Sequence, residues 1–152
     1  MKRGVIFAMV VTMFLSACGQ IKADVPDDPD AKATQLLVEE YIATNLNYDA
    51  DGLMALYGDD LFWMDYGGND GPLTRENLDY FVHETMAARD FEYKFRSYTI
   101  TPGGRFAVIQ TDYSQAAASL EKKVWATCIA VLEFKDSKIV SETWYYDGSV
   151  FH

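Results

Sequence analysis

The 152-residue sequence has only two cysteines, two histidines and four prolines, and its 13 basic residues are outnumbered by 23 acidic ones. Two cysteines, Cys18 and Cys128, cannot build a disulfide framework. His83-Glu84-Thr85-Met86-Ala87 begins as a zinc-binding His-Glu-x-x-His helix would, but Ala87 stands where the second histidine must be and the other histidine is the terminal His152. No metal site is therefore expected. Phosphate-loop, dinucleotide and Gly-x-Ser-x-Gly signatures are missing, and the glycine-rich stretch Gly67 to Gly71 reads as a connecting loop, so no cofactor is expected either. The shortage of lysine and arginine excludes nucleic acid as a partner, because phosphate binding needs a basic footprint. There is no internal repeat.

The longest apolar run, Gly4 to Leu15, follows Lys2 and Arg3 and is interrupted only by Thr12. As a helix it would span about half of the ~30 Å hydrocarbon core, so it reads as a targeting segment rather than a permanent anchor. Leu15-Ser16-Ala17-Cys18 at its end resembles the lipobox of bacterial lipoproteins, in which a branched apolar residue and two small ones precede the cysteine that receives lipid. That resemblance implies cleavage before Cys18, lipidation of Cys18 by chains such as palmitate, and attachment to a membrane. Gly19, rather than aspartate, follows the cysteine, which favours the periplasmic face of the outer membrane of a Gram-negative bacterium. Loss of residues 1–17 leaves 135 residues with 11 basic and 23 acidic groups, a formal net charge of −12. That length is one domain's worth, enough for a core. With Cys18 lipidated, Cys128 has no intrachain partner, and among Val124, Ile129 and Val131 it reads as a buried thiol. Residues 18–30 combine two prolines with several aspartates and read as a solvated, flexible tether, its twelve residues after the cysteine reaching at most about 40 Å.

The domain over 31–152 is expected to be α+β. Leu37, Val38, Tyr41, Ile42 and Leu46 recur at helical spacing in a first helix, Ala31 to Asn47. A short second helix is expected at Asp51 to Tyr57, capped by Asp49 or Asp51 and with Gly58 close to its end. Leu61 to Tyr66 reads as a strand. Thr74 caps a third helix whose buried stripe is Leu78, Phe81, Val82, Thr85 and Met86. Strands follow near Glu92 to Ile100, Phe106 to Ala117, Lys122 to Phe134 and Lys138 to Asp147, with turns at Pro102-Gly103-Gly104 and Lys135-Asp136-Ser137.

This order, together with Leu53-Met54-Ala55-Leu56-Tyr57 running into Asp59-Asp60, the strand ending at Asp65, Thr74-Arg75-Glu76-Asn77-Leu78, and Leu132-Glu133-Phe134 turning into Lys138-Ile139, resembles the NTF2-like, or SnoaL-like, superfamily. The resemblance implies about three helices on a curved, mainly antiparallel sheet, enclosing a conical pocket for a small hydrophobic molecule. Within the superfamily, Tyr41 and Asp65 match the oxyanion-donating tyrosine and the proton-carrying aspartate of ketosteroid isomerases, a worked case of tuned carboxyl chemistry. A carboxylate walled by Trp63 and Phe81 would act as a base and a buried phenol would stabilise a forming oxyanion. The second, protonated aspartate of those isomerases falls on Ala130, so half of that oxyanion hole is missing. The same alignment turns Ala126, Cys128, Ala130, Glu142, Trp144 and Tyr146 toward the pocket. Glu142 is a second candidate carboxylate, with an edge-facing salt bridge as its plainer role, and His83 falls on an exposed flank. A ligand-binding protein is the leading reading. An isomerase, cyclase or dehydratase using Asp65 and Tyr41 is the second, and a structural module forming a homodimer through its sheet is the third.

Overall fold

The computed structural model describes residues 21–66, 72–89, 91–116 and 123–147. The leader, Cys18 and Gly19, the loop at 67–71 and the terminal His152 lie outside them. No described helix is long and apolar enough to cross a membrane.

The segment ahead of the first helix departs from the expected tether. Lys22–Asp24 forms strand β1, which pairs in parallel with the edge of a later strand, and Ile21 and Val25 on either side pack against the core. Helix α1 then begins at Pro29 and runs to Asn47. The Asp28 carboxylate accepts the Ala31 N–H at 2.8 Å, and proline at the first helical position sacrifices no hydrogen bond there. The two features that suggested a solvated linker, aspartate and proline, are here a helix start. Val38, Tyr41 and Ile42 are buried as expected, but Leu46 is exposed and Asn45 takes its place in the interior. Asn45 is tolerated there because its amide donates to the Tyr41 carbonyl oxygen at 2.9 Å.

Helix α2 (Ala50–Leu56) is capped by Asp49, which accepts the Gly52 N–H. It gives way directly to strand β2 (Tyr57–Asp65), so Tyr57 and Gly58, expected at a helix end, are strand residues. Helix α3 (Arg75–Ala88) starts at its Thr74 cap. The rest is a meander of β3 (Phe91–Ile100), β4 (Phe106–Ala116), β5 (Lys123–Lys135) and β6 (Lys138–Tyr145). The tight turn between β5 and β6 holds Asp136 and Ser137 at φ 51° and 60°, the two left-handed residues that a twisted hairpin requires.

The sheet order is β1-β3-β4-β5-β6-β2, with parallel pairs at the two edges and antiparallel pairs between. The core includes Val38 and Ile42 of α1, Leu53 of α2 and Leu78 of α3 together with Ile109, Leu132 and Ile139 of the sheet. Of three register shifts in the described sheet, those in β3 and β6 bear on which side chains face the helices. In β3 the shift between Phe95 and Ser97 moves the buried positions from Phe95 to Tyr98. In β6, Ile139 pairs with Phe134 and Ser141 with Glu133, which leaves Val140 as an extra residue. A bulge of this kind re-aims every side chain after it.

Candidate ligand cavity

The Val140 bulge decides where Glu142 points. Unbroken alternation from the buried Ile139 would turn Ser141 and Thr143 inward; after the extra residue the inward positions are Glu142 and Trp144. Glu142 is 2% exposed. Its Oε1 accepts the Tyr41 hydroxyl of α1 at 2.7 Å and the Trp144 indole N–H at 2.5 Å, and its Oε2 accepts the Tyr57 hydroxyl of β2 at 2.5 Å. An indole N–H can only donate, so this arrangement presents donors to an acceptor. Burial nevertheless raises the Glu142 pKa above its ordinary value, while bonds from Tyr57, Tyr41, Trp144 and Trp63 pull it back. Burial, with the adjacent Glu142, also holds the phenols of Tyr41 and Tyr57 well above their usual range.

Glu142 forms part of the wall of an open cavity between the sheet and the helices, which with its mouth encloses about 640 Å³ free of protein atoms. Helix α3 supplies one side through Leu78, Phe81, Val82, Thr85 and Met86, the stripe expected from their spacing. Phe81 is 46% exposed, with its ring 6.0 Å from that of Trp63, and so belongs to the rim rather than to the interior. The sheet supplies a layer of rings: Tyr93 lies 5.3 Å from Tyr113 and 5.8 Å from Trp144 between centroids, and Tyr113 lies 6.4 Å from Tyr146. Phe91, Tyr93 and Phe95 alternate along β3, which puts all three rings on one face.

Both residues expected to carry chemistry line this cavity. Asp65, at the end of β2, is partly buried and accepts the Tyr146 hydroxyl at 2.7 Å. Tyr41 is buried, with its hydroxyl donated to Glu142. Trp63, Glu142, Trp144 and Tyr146 are also on the wall. Glu142 has phenols and an indole for partners where an edge-facing salt bridge was its plainer role. Ala126, Cys128 and Ala130, expected on the wall, lie instead in the core. They share the inner face, but Ala126 pairs with Tyr113 and Ala130 with Trp144, so their small side chains make room for neighbouring rings rather than for a ligand. Burial pushes the Cys128 thiol up to about 12, which suits an inert core residue. His83 stays on an exposed flank, bonded to the Asp79 carbonyl oxygen and the Asp51 carboxylate, and these contacts raise its pKa. Tyr57, Tyr93 and Tyr113 were missed. The alternation of β3 could have found Tyr93, whereas Tyr57 was hidden in the expected helix end. Among the described residues, no group of histidine, cysteine and carboxylate side chains is arranged to hold a metal ion.

Three helices packed on a curved, mixed six-stranded sheet is the fold of NTF2-like proteins, and this chain has that fold. No protein-family model matches the sequence, and no curated protein matches it. Solved structures do. An NTF2-like protein of unknown function from Mesorhizobium loti superposes with a TM-score of 0.66 at 14% identity, over 83% of this chain and 98% of that one. An epoxide hydrolase from M. tuberculosis, of the LEH-like kind, gives 0.63 at 18% identity, over 79% and 86%. A protein of ketosteroid isomerase-like fold from Catenulispora acidiphila, in complex with trimethylamine, gives 0.58 at 20% identity, over 76% and 88%. At these identities the likeness is one of fold.

Proposed function

We propose that the chain is an exported lipoprotein, held by lipid on Cys18 to the periplasmic face of an outer membrane, whose NTF2-like domain binds one small, largely apolar molecule. The observation that carries the binding reading is the cavity itself: a half-open space lined by aromatic rings, with a few convergent polar groups around Glu142. Rings fixed by their neighbours lose little freedom when a ligand arrives, which favours binding. The test is the fluorescence of prodan, a neutral naphthalene dye, added to residues 19–152. The protein should bind it, and Thr85→Trp, which fills the cavity from the partly exposed side of α3, should abolish binding without unfolding the domain. Equal binding by the two proteins would remove the cavity as the site.

A second reading is a proton-transfer enzyme, an isomerase, cyclase or dehydratase. It is favoured by the presence of Asp65 and Tyr41 in the lining of the same cavity and by the epoxide hydrolase among the proteins of similar fold. For Tyr41 to serve as an oxyanion donor, its hydroxyl must exchange Glu142 for the substrate oxygen. Asp65→Asn separates the readings, since losing a general base typically lowers turnover ~10²- to 10⁴-fold while prodan binding survives. A structural homodimer is the third reading, supported by the outer sheet face, where Val108, Ile129 and Tyr145 are exposed.

A further inference from the structure

The cavity is aromatic and acidic at once. The carboxylates of Glu142 and Asp65 line it, and among the described residues no lysine, arginine or histidine does. No protein cation pairs with Glu142 among the described residues: its oxygens are met by hydroxyls and indole N–H groups. Hydrogen bonds from Tyr41, Tyr57 and Trp144 offset part of the cost of taking the Glu142 carboxylate out of water, but a site shaped only for hydrocarbon gains nothing from keeping it there. The rings around it have faces of negative potential, and Trp63 and Trp144 are the type that attracts cations best.

The geometry points to a small alkylammonium ion, from tetramethylammonium to choline in size, as the ligand of this cavity. The inference rests on the proposed binding function and supplies the ligand's charge. Methyl groups around a positive nitrogen present an apolar surface to Trp63, Tyr93 and Trp144, and the charge is attracted both by the ring faces and by the two carboxylates. Phenols that stay neutral, as burial makes those of Tyr41, Tyr57 and Tyr93, keep their hydrogen bonds while adding ring surface. A carboxylate- or phosphate-bearing ligand would meet two carboxylates and, among the described residues, no basic side chain, which disfavours anions.

The experiment compares choline with 3,3-dimethylbutan-1-ol, which has the same shape with carbon in place of the charged nitrogen. Each is titrated calorimetrically into the full lipidated protein in choline-free phosphatidylglycerol nanodiscs, with empty nanodiscs as the blank. Choline should bind at least ~10-fold more tightly than the alcohol, Thr85→Trp should abolish both, and Glu142→Gln should bring the two affinities together. If Glu142→Gln fails to fold, Asp65→Asn serves instead and should weaken choline about threefold or more relative to the alcohol. Choline binding no tighter than the alcohol overturns the inference and leaves the apolar-ligand reading standing, as does a preference for choline that neither substitution reduces. Loss of choline, alcohol and prodan binding together overturns both.

Discussion

Glu142 carries the most consequential chemistry of any single residue. Glu142→Gln keeps its size but places an amide N–H₂ among hydroxyl and indole donors, leaving at least one buried donor unsatisfied. The expected cost is about 1–3 kcal/mol, a fall of several degrees in Tm. The pH dependence arises because burial holds the folded pKa above the unfolded one. The folded state then binds more protons than the unfolded state between the two values. The Glu142 contribution is therefore most favourable below the unfolded value of about 4.3 and declines as pH rises through the folded one. Urea denaturation at a series of pH values should show the advantage of wild type over Glu142→Gln narrowing toward neutral pH, and a widening gap would reverse the assignment. At this scale Trp63, Asp65, Trp144 and Tyr146 were legible because alternation and family spacing agree on them. Leu46 misled because hydrophobicity alone cannot see that Asn45, bonded to the Tyr41 carbonyl, can be buried in its place. Ala126, Cys128 and Ala130 misled because a small residue makes room equally well for a ligand and for the ring beside it.

Among the elements, the junction of α1 with the turn between β3 and β4 is a close contact. Gly104 has φ +66°, and a Cβ there would come within 2.5 Å of the Asp30 carbonyl oxygen and 2.7 Å of Thr34 Oγ1. Thr34 itself donates to the Gly104 carbonyl oxygen at 2.7 Å. Gly104→Ala therefore combines left-handed strain with a backbone collision and should destabilise by about 2–4 kcal/mol, whereas Gly103→Ala meets no neighbouring atom and carries only the strain of its φ of +76°. Chemical denaturation of the two variants checks this, and equal losses would mean that the helix does not press on the turn as described. Helices α2 and α3 and the four meander strands were legible to within a few residues because caps, stripes and turns agree with one another. β1 was not, since three residues gain strand character only from the β3 edge beside them. The Val140 bulge was equally invisible, as it is a property of the β5–β6 pairing and not of the β6 sequence.

For the molecule as a whole, the proposed anchoring and the proposed binding can be tested separately. Cys18→Ala should abolish incorporation of labelled palmitate, since the other thiol, Cys128, is 0% exposed within the fold; label retained by the variant would contradict lipidation at Cys18. Were Cys18 lipidated as proposed, only two residues would separate it from the described fold, and with β1 docked on the sheet the domain would sit closer to the membrane than a tether reaching Asp30 would hold it. The central claim, that the ring-lined space is where the ligand enters, is tested most directly by ¹⁹F NMR of protein labelled with fluorotryptophan. The chain has three tryptophans. Trp63 and Trp144 line the cavity, while Trp125 lies outside its lining and carries the Lys94 ammonium 3.6 Å from its ring centroid. Titration with prodan should shift the Trp63 and Trp144 resonances together and leave Trp125 in place. Movement of Trp125 with the other two unchanged would contradict the account.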